Sequence, residues 1–228
     1  MKKAKKILAL LLCAVLLIGA SVAGTLAYLT FTTNEVKNTF TVGKVELGEQ
    51  GKGGLDETDV DEYGVAIANA DRVTENTYKL IPDHSYIKDP TLHIKKGSEQ
   101  CYVFVKVVNG ISAIEAADVE GETATTIAGQ MAAEGWKQLK INGEDVANVF
   151  YKENAVDARN ITTDYLDVKV FSSFKLAKTA DVSGYKDATI TVIGYAIQAD
   201  GFTSAEEAWA AAPSSWTVAA DPATPGEG

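Results

Sequence analysis

The sequence predicts a mainly β protein, an antiparallel β-sandwich of the jelly-roll type with two or three short helices. Stretches rich in β-branched and aromatic residues recur about eight to ten times, and each is only a few residues long. Turn signals separate these stretches at short spacing, and there is no alternation of strands with long helices that would indicate a parallel sheet. No internal repeat is visible, so the strands are expected to form one domain.

The N-terminal half carries the first strands. Apolar and polar residues alternate loosely over residues 40–47, which predicts a strand with one buried face. The glycine-rich residues 48–54 predict a flexible break. A short strand is predicted at residues 77–81, and period-two alternation predicts another at residues 91–95. Residues 101–108 are the strongest strand prediction in the chain, because almost all of them are β-forming.

The C-terminal half combines strands with two short helices. Helix formers in residues 123–135 predict a helix that ends at its last glycine, with Ile127 and Met131 one turn apart and facing the core. Asn142-Gly143 is the strongest hairpin signal. Further strands are predicted at residues 136–141, 146–151, 161–174 and 188–199.

The last predicted element is a short helix that opens with a capping box. Ser204 and Glu207 have the spacing of such a box, and Trp209 is expected to pack onto the sheet. Residues 213–228 are rich in proline, serine, threonine, alanine and glycine, which predicts a disordered tail. The folded domain is therefore expected to span residues 28–212.

The beginning of the chain reads as a secretory signal peptide at residues 1–27. Four lysines precede an apolar run, and Thr25 and Ala27 occupy positions −3 and −1 of a cleavage site before Tyr28. The alternative is a retained membrane anchor, but the apolar run at residues 7–22 is short for a bilayer span of about 20 residues. We expect no membrane span after cleavage.

Charge and cysteine content exclude several classes of function. The chain has 228 residues and a net charge of −10. Without the signal peptide it keeps 17 basic against 31 acidic groups. This balance disfavours nucleic acid and anionic lipid as partners, because both require a basic surface. Cys13 lies in the signal peptide, so the mature chain keeps Cys101 alone and no intramolecular disulfide is expected. Cys101 is expected to be a buried apolar residue, and the alternatives are an intermolecular disulfide or a reactive thiol.

The N-terminal motif resembles a known family. Residues 17–30 read Leu-Ile-Gly-Ala-Ser-Val-Ala-Gly-Thr-Leu-Ala-Tyr-Leu-Thr, and residues 36–43 read Val-Lys-Asn-Thr-Phe-Thr-Val-Gly. This pair resembles the SipW-dependent exported biofilm-matrix proteins of Gram-positive bacteria, the TasA, camelysin and BsaA-like proteins. Weaker likeness continues through residues 80–82, 88–90 and 195–200. The resemblance implies a jelly roll, cleavage by a signal peptidase of the SipW type, and a place in the extracellular matrix or at the cell surface.

The resemblance also implies a structural role as a fibre subunit. Its partners would be copies of itself, together with accessory matrix proteins. In this hypothesis residues 28–47 form a donor strand that fills a groove in a neighbouring subunit. The apolar residues expected to carry the contact are Val36, Phe40, Val42 and Val45. The alternative is that this strand pairs within its own chain and the protein is a monomer.

No motif predicts an enzyme. Asp56, Asp59 and Asp61 lie in an acidic stretch that invites a calcium hypothesis, but an EF-hand loop would need an oxygen ligand at Tyr63 and a glutamate at Ala70. A looser cation site or a secreted module that binds through this loop remains an alternative, and a solvated acidic loop is the simplest interpretation. The two histidines, His84 and His93, have no zinc-site spacing, which leaves a camelysin-like metallopeptidase as the third hypothesis. His93 is expected on the solvent face of its strand, and no cofactor is expected.

Overall fold

The computed structural model describes residues 30–32, 45, 47–48 and 54–216. Several predicted features lie outside the described residues: the signal peptide with Thr25, Ala27 and Tyr28, the strand residues Val36, Phe40 and Val42, and the tail from residue 217. Neither of the two α-helices among the described residues is long and apolar enough to cross a membrane.

The protein is mainly β, with three antiparallel sheets and two short α-helices, an arrangement consistent with a β-sandwich. The strands are β1 (Thr30–Thr32), β2 (Leu55–Asp56), β3 (Ser85–Ile87), β4 (Thr91–Lys95), β5 (Cys101–Asn109), β6 (Trp136–Ile141), β7 (Glu144–Lys152), β8 (Tyr165–Lys169), β9 (Ser173–Lys175) and β10 (Ile190–Gln198). The helices are α1 (Ile127–Ala133) and α2 (Ala205–Ala210). The order within the largest sheet is β1-β10-β5-β7-β6, and the smaller sheets are β2-β4-β8 and β3-β9.

Strands β5 and β10 form the centre of the five-stranded sheet. They pair over nine residues, from Ile190 opposite Asn109 to Gln198 opposite Cys101. Residues 101–107 of β5 are buried throughout, so both faces of this strand lie in core. A strand covered on both faces reads as a continuous apolar run, which is why this stretch gave the strongest strand prediction.

Two apolar layers cover the two faces of the central sheet. The first joins alternate residues of β5, such as Val103 and Val105, to Ile94, Val168 and Phe174 of the smaller sheets. The second lies on the opposite face and is largely aromatic: its members include Phe104, Tyr195, Trp209 and Trp216, with α2 as part of the cover. The central sheet therefore has the smaller sheets on one side and the C-terminal segment on the other.

Several local predictions are confirmed. Ile127 and Met131 are buried on α1, and Gly135 follows the helix with a φ of +81°. Asn142 and Gly143 both have positive φ between β6 and β7, as a type I′ turn requires. Ser204 caps α2 by accepting a hydrogen bond from the Glu207 backbone N–H.

Two element predictions are wrong. Residues 77–81 do not form a strand, because their contacts are single hydrogen bonds to scattered partners instead of a ladder. The Lys79 N–H, for example, donates to the Glu62 carbonyl, while the Ile81 N–H donates to the Tyr86 hydroxyl. The folded domain also extends past residue 212, since Trp216 lies in a 3₁₀ turn (Ser214–Trp216) and is 1% exposed.

Candidate functional site

The N-terminal edge of the five-stranded sheet is the first candidate site. Strand β1 has three residues and lies at the sheet edge, where Thr30, Phe31 and Thr32 oppose Ile197, Ala196 and Tyr195 of β10. These three residues of β10 are almost completely buried. A short edge strand thus pairs with a strand whose side chains belong to the core, so loss of β1 would present an ordered backbone edge to another strand.

The same N-terminal segment is anchored a second time, in the smaller sheet β2-β4-β8. Leu47 forms an antiparallel bridge with Ile94 and is 2% exposed, and Val45 is buried in the same core layer. The Gly48 N–H donates to the His93 carbonyl at 3.0 Å. Gly54 passes so close to Leu47 that a Cβ at this position would overlap the leucine side chain. Val45, one of the four predicted donor-strand residues, is therefore part of its own chain's core.

The predicted acidic residue Asp56 is itself buried and lies in a partly buried ionic cluster. Its carboxylate accepts a hydrogen bond from Arg72 Nε and contacts His93 Nε2 at 2.8 Å. The Arg72 guanidinium also donates to Asp89 Oδ2 at 3.1 Å and to the Asp89 carbonyl at 3.0 Å. Both partners contact the same oxygen, Asp56 Oδ1, and the positive charge that they place beside this carboxylate opposes binding of a metal ion there.

His93 bridges two strands that flank its own strand β4. Its Nδ1 lies 2.7 Å from Asp167 Oδ1 on β8, opposite the contact with Asp56 on β2. Both ring nitrogens face carboxylate oxygens, which only accept, so the imidazolium form satisfies both contacts. Burial opposes the charge, but the hydrogen bonds and charges of Asp56 and Asp167 outweigh it and raise the pKa of His93. The prediction of a solvent-facing His93 is wrong, since its side chain is 14% exposed.

The other two predicted metal-site acids belong to a small hairpin-like loop. The Ile67 N–H donates to the Asp59 carbonyl at 3.0 Å. Asp61 Oδ1 accepts from the Tyr63 and Val65 N–H groups, both at 2.9 Å, so its carboxylate shapes the loop. Within the described part of the chain, no group of three or more histidine, cysteine, aspartate or glutamate side chains is arranged to hold a metal ion.

The remaining candidate groups for chemistry are occupied or inert. His84 Nε2 contacts the Tyr63 carbonyl at 2.8 Å, whereas His93 contacts Asp56 and Asp167. Cys101 is a free, fully buried thiol. Burial raises the pKa of Cys101 to about 12, which keeps the thiol protonated and unreactive at neutral pH.

The sequence interpretation missed Arg72 and Lys88, and it placed Glu57 only within the acidic loop at residues 56–62. In the structure, Arg72 pairs with Asp56 and Asp89. Lys88 and Glu57 form an ion pair at 2.6 Å in which both side chains are nearly buried. One signal could have pointed to this cluster: Arg72 is one of only two arginines and follows a stretch of six acids. An isolated arginine near such a stretch is suited to a buried multidentate contact.

Comparison with known proteins adds no relative: no family model matches the chain, and neither a curated protein nor a solved structure matches it.

Proposed function

We propose that the protein is a secreted structural subunit of an extracellular biofilm-matrix fibre, assembled by exchange of its N-terminal strand after the signal peptide is removed. The observation that carries the proposal is β1, a three-residue edge strand on the buried strand β10. The N-terminal motif that resembles SipW-dependent matrix proteins supports export and this role. The jelly-roll topology is part of the same proposal.

Exchange of β1 is physically inexpensive. A three-residue antiparallel pairing contributes only a few backbone hydrogen bonds, each with a net value of about 0.5–1.5 kcal/mol. The same strand from a second subunit would restore these bonds in the same register. Since donor and acceptor surfaces differ, each subunit could give one strand and accept another, and such a heterologous contact propagates as a filament.

The anchor at Val45 and Leu47 limits which residues would move. Full burial of a leucine or valine side chain contributes about 1.5–3 kcal/mol, so removal of both would cost about 3–6 kcal/mol that pairing of β1 on a neighbour would not restore. We therefore propose that the exchanged part lies N-terminal to Val45. The 13 peptide steps from Thr32 to Val45 span at most about 45 Å when extended, enough to reach an adjacent subunit.

A disulfide lock tests the exchange. In the Phe31→Cys/Ala196→Cys variant of residues 28–228, the two cysteines are register partners, and opposed residues of an antiparallel pair have Cα separations of about 4.5–5.5 Å that suit a disulfide. Oxidation of dilute monomer should lock β1 on its own β10 and prevent filaments in negative-stain images, and reduction should restore them. The reduced sample of the same variant is the matched control.

A second arm identifies the donor. Oxidation of preformed filaments should join residue 31 of one subunit to residue 196 of the next and give a ladder of covalent oligomers on a non-reducing gel. Filaments from locked monomer, filaments that give only intramolecular links, or filaments from a chain that lacks residues 28–32 would each contradict exchange of β1. Absence of filaments from every form would favour the alternative, a secreted monomeric module that binds through its acidic loop. That loop exposes Tyr63, Val65 and Ile67 beside Asp61.

A further inference from the structure

One buried carboxylate joins a lysine amine to an asparagine amide. Glu57 Oε2 lies 2.6 Å from Lys88 Nζ, and Glu57 Oε1 accepts a hydrogen bond from Asn76 Nδ2 at 2.9 Å. Glu57 is 4% exposed and Lys88 is 9% exposed. The lysine and the carboxamide are thereby held at the two oxygens of a single carboxylate in a site largely closed to water.

The surroundings of Asn76 fix how its amide is oriented. Nδ2 also donates to the Thr58 carbonyl at 2.9 Å, while Oδ1 accepts from the Val60 N–H at 3.0 Å. Two acceptors face the nitrogen and one donor faces the oxygen, so the reverse orientation would lose all three bonds. The Val60 N–H polarises the amide carbonyl and points at the oxygen on which negative charge would develop during attack at Cγ.

We propose that Lys88 and Asn76 become joined by an isopeptide bond, with Glu57 as the group that carries the protons. Glu57 takes a proton from the Lys88 ammonium, and the neutral Nζ attacks Asn76 Cγ. The tetrahedral oxyanion on Oδ1 is stabilised by the Val60 N–H. Glu57 passes the proton to Nδ2, the Cγ–Nδ2 bond breaks, and a second proton moves from Nζ to the departing nitrogen. Lysine ammonium and carboxamide yield a secondary amide and an ammonium ion, with no oxidant or reductant required.

The fold supplies two conditions that favour this reaction: a site formed by folding and little access for water. The three side chains come from separate segments, at residues 57, 76 and 88, so the site exists only after folding. Preorganised neighbours in a dry site react with effective concentrations far above those of free groups. An ordinary surface ion pair lacks these conditions: Lys137 and Glu153 lie 2.7 Å apart, but their side chains are 51% and 63% exposed.

Intact-mass spectrometry of the purified native protein tests the proposal without any variant. Bond formation releases ammonia, so the chain should weigh about 17 Da less than its sequence, and denaturation and reduction should not restore the mass. Trypsin should then yield a branched species in which residues 73–79 are joined to residues 80–95, without cleavage after Lys88. A chain of full sequence mass that gives residues 73–79, 80–88 and 89–95 as three separate peptides overturns the proposal.

Variants separate this bond from other losses of ammonia. Lys88→Arg should have full mass because arginine is not an effective nucleophile here, and Glu57→Gln should have full mass because the amide cannot carry the protons. Lys79→Arg, an exposed lysine in the same segment, is the matched control and should keep the loss. Asn109-Gly110 and Asn142-Gly143 could lose ammonia by ring closure, so a mass loss that persists in Lys88→Arg contradicts the bond. A branched peptide that persists in Glu57→Gln contradicts the role of Glu57.

Discussion

His93 is the group through which pH is expected to act on the stability of the fold. Its ring nitrogens lie 2.8 and 2.7 Å from the carboxylate oxygens of Asp56 and Asp167. Arg72 supplies a second positive partner to Asp56, at the same carboxylate oxygen that His93 contacts. A rise in pH removes one of the two ring protons, so one nitrogen is left with a lone pair that faces a carboxylate.

The direction follows from the two pKa values of His93. Burial lowers its pKa, but the two carboxylates outweigh burial and raise it in the folded protein, whereas a histidine in an unfolded chain titrates near about 6.5. Between these values the folded state binds more protons than the unfolded state. The stabilisation is therefore fully present below about pH 6.5 and is lost as the pH rises through the folded pKa.

The geometry sets the size of the loss. A hydrogen bond to a charged group contributes about 1.5–3 kcal/mol when buried, as for Asp56, whose side chain is 4% exposed. The Asp167 side chain is 65% exposed, so solvent reduces its contribution to less than about 1 kcal/mol. Neutral imidazole can donate a hydrogen bond to only one of these two carboxylates. We expect the free energy of unfolding to fall by about 1–2 kcal/mol as His93 loses its proton.

Urea unfolding at a series of pH values, from about 6 to about 9, measures this loss. His93→Gln should remove most of the decline. His84→Gln is the matched control and should keep it, since the chain has only these two histidines. A wild-type free energy of unfolding that does not fall over this range, or a decline that follows His84 instead of His93, would contradict this role of His93.

Three further substitutions test the anchor, the loop before β3 and the C-terminal cover. Leu47→Ala should lower the free energy of unfolding by about 2–5 kcal/mol because the side chain is 2% exposed. Val65→Ala is the control: this side chain is 58% exposed, so the free energy should change by less than about 0.5 kcal/mol. Equal effects of the two substitutions in urea unfolding would contradict the anchor. Gly64→Ala should cost more than about 2 kcal/mol, since its Cβ would lie 2.7 Å from Tyr86 Cα. Gly97→Ala, with a similar positive φ but open space, should cost about 1 kcal/mol, and a reversed order would be inconsistent with the packing. Trp216→Ala should lower the free energy of unfolding by about 3–5 kcal/mol because this side chain is 1% exposed. Calorimetry should show a fall in Tm of about 2–4 °C for each kcal/mol. An unchanged Tm would indicate that Trp216 belongs to a disordered tail.

Elements with a strong local signal could be predicted from the sequence. The run at residues 101–108 is apolar because both faces of β5 are buried. Asn142-Gly143 marks the turn between β6 and β7 because only such residues readily adopt positive φ at both positions. Ser204 and Glu207 were also informative, although the Glu207 carboxylate accepts from Thr203, one residue before the cap. Each of these signals involves residues that are close together in the chain.

The ionic clusters could not be predicted because their partners are far apart in sequence. Lys88 meets Glu57 across 31 positions, and His93 meets Asp167 across 74. Period-two alternation in β4 correctly separates His93 from Leu92 and Ile94, but it cannot show that β2 and β8 bring carboxylates over the polar position. Trp216 was missed for a different reason: composition averages over a segment, and one aromatic side chain is enough to attach that segment to the core.

The two ends of the N-terminal segment differ in the energy that holds them. Strand β1 is held by a three-residue ladder that an identical strand from another subunit would reproduce, so exchange of β1 is nearly neutral in enthalpy. The side chains of Val45 and Leu47 are buried in the core layer that contains Ile94. At the same place the Gly48 N–H donates a hydrogen bond to the His93 carbonyl. A strand that left this position would expose apolar surface until it found an equivalent core. In a strand-exchanged fibre, Val45 and Leu47 would therefore remain with the donor while β1 sits on the acceptor, and the chain between them would form the link that crosses from one subunit to the next.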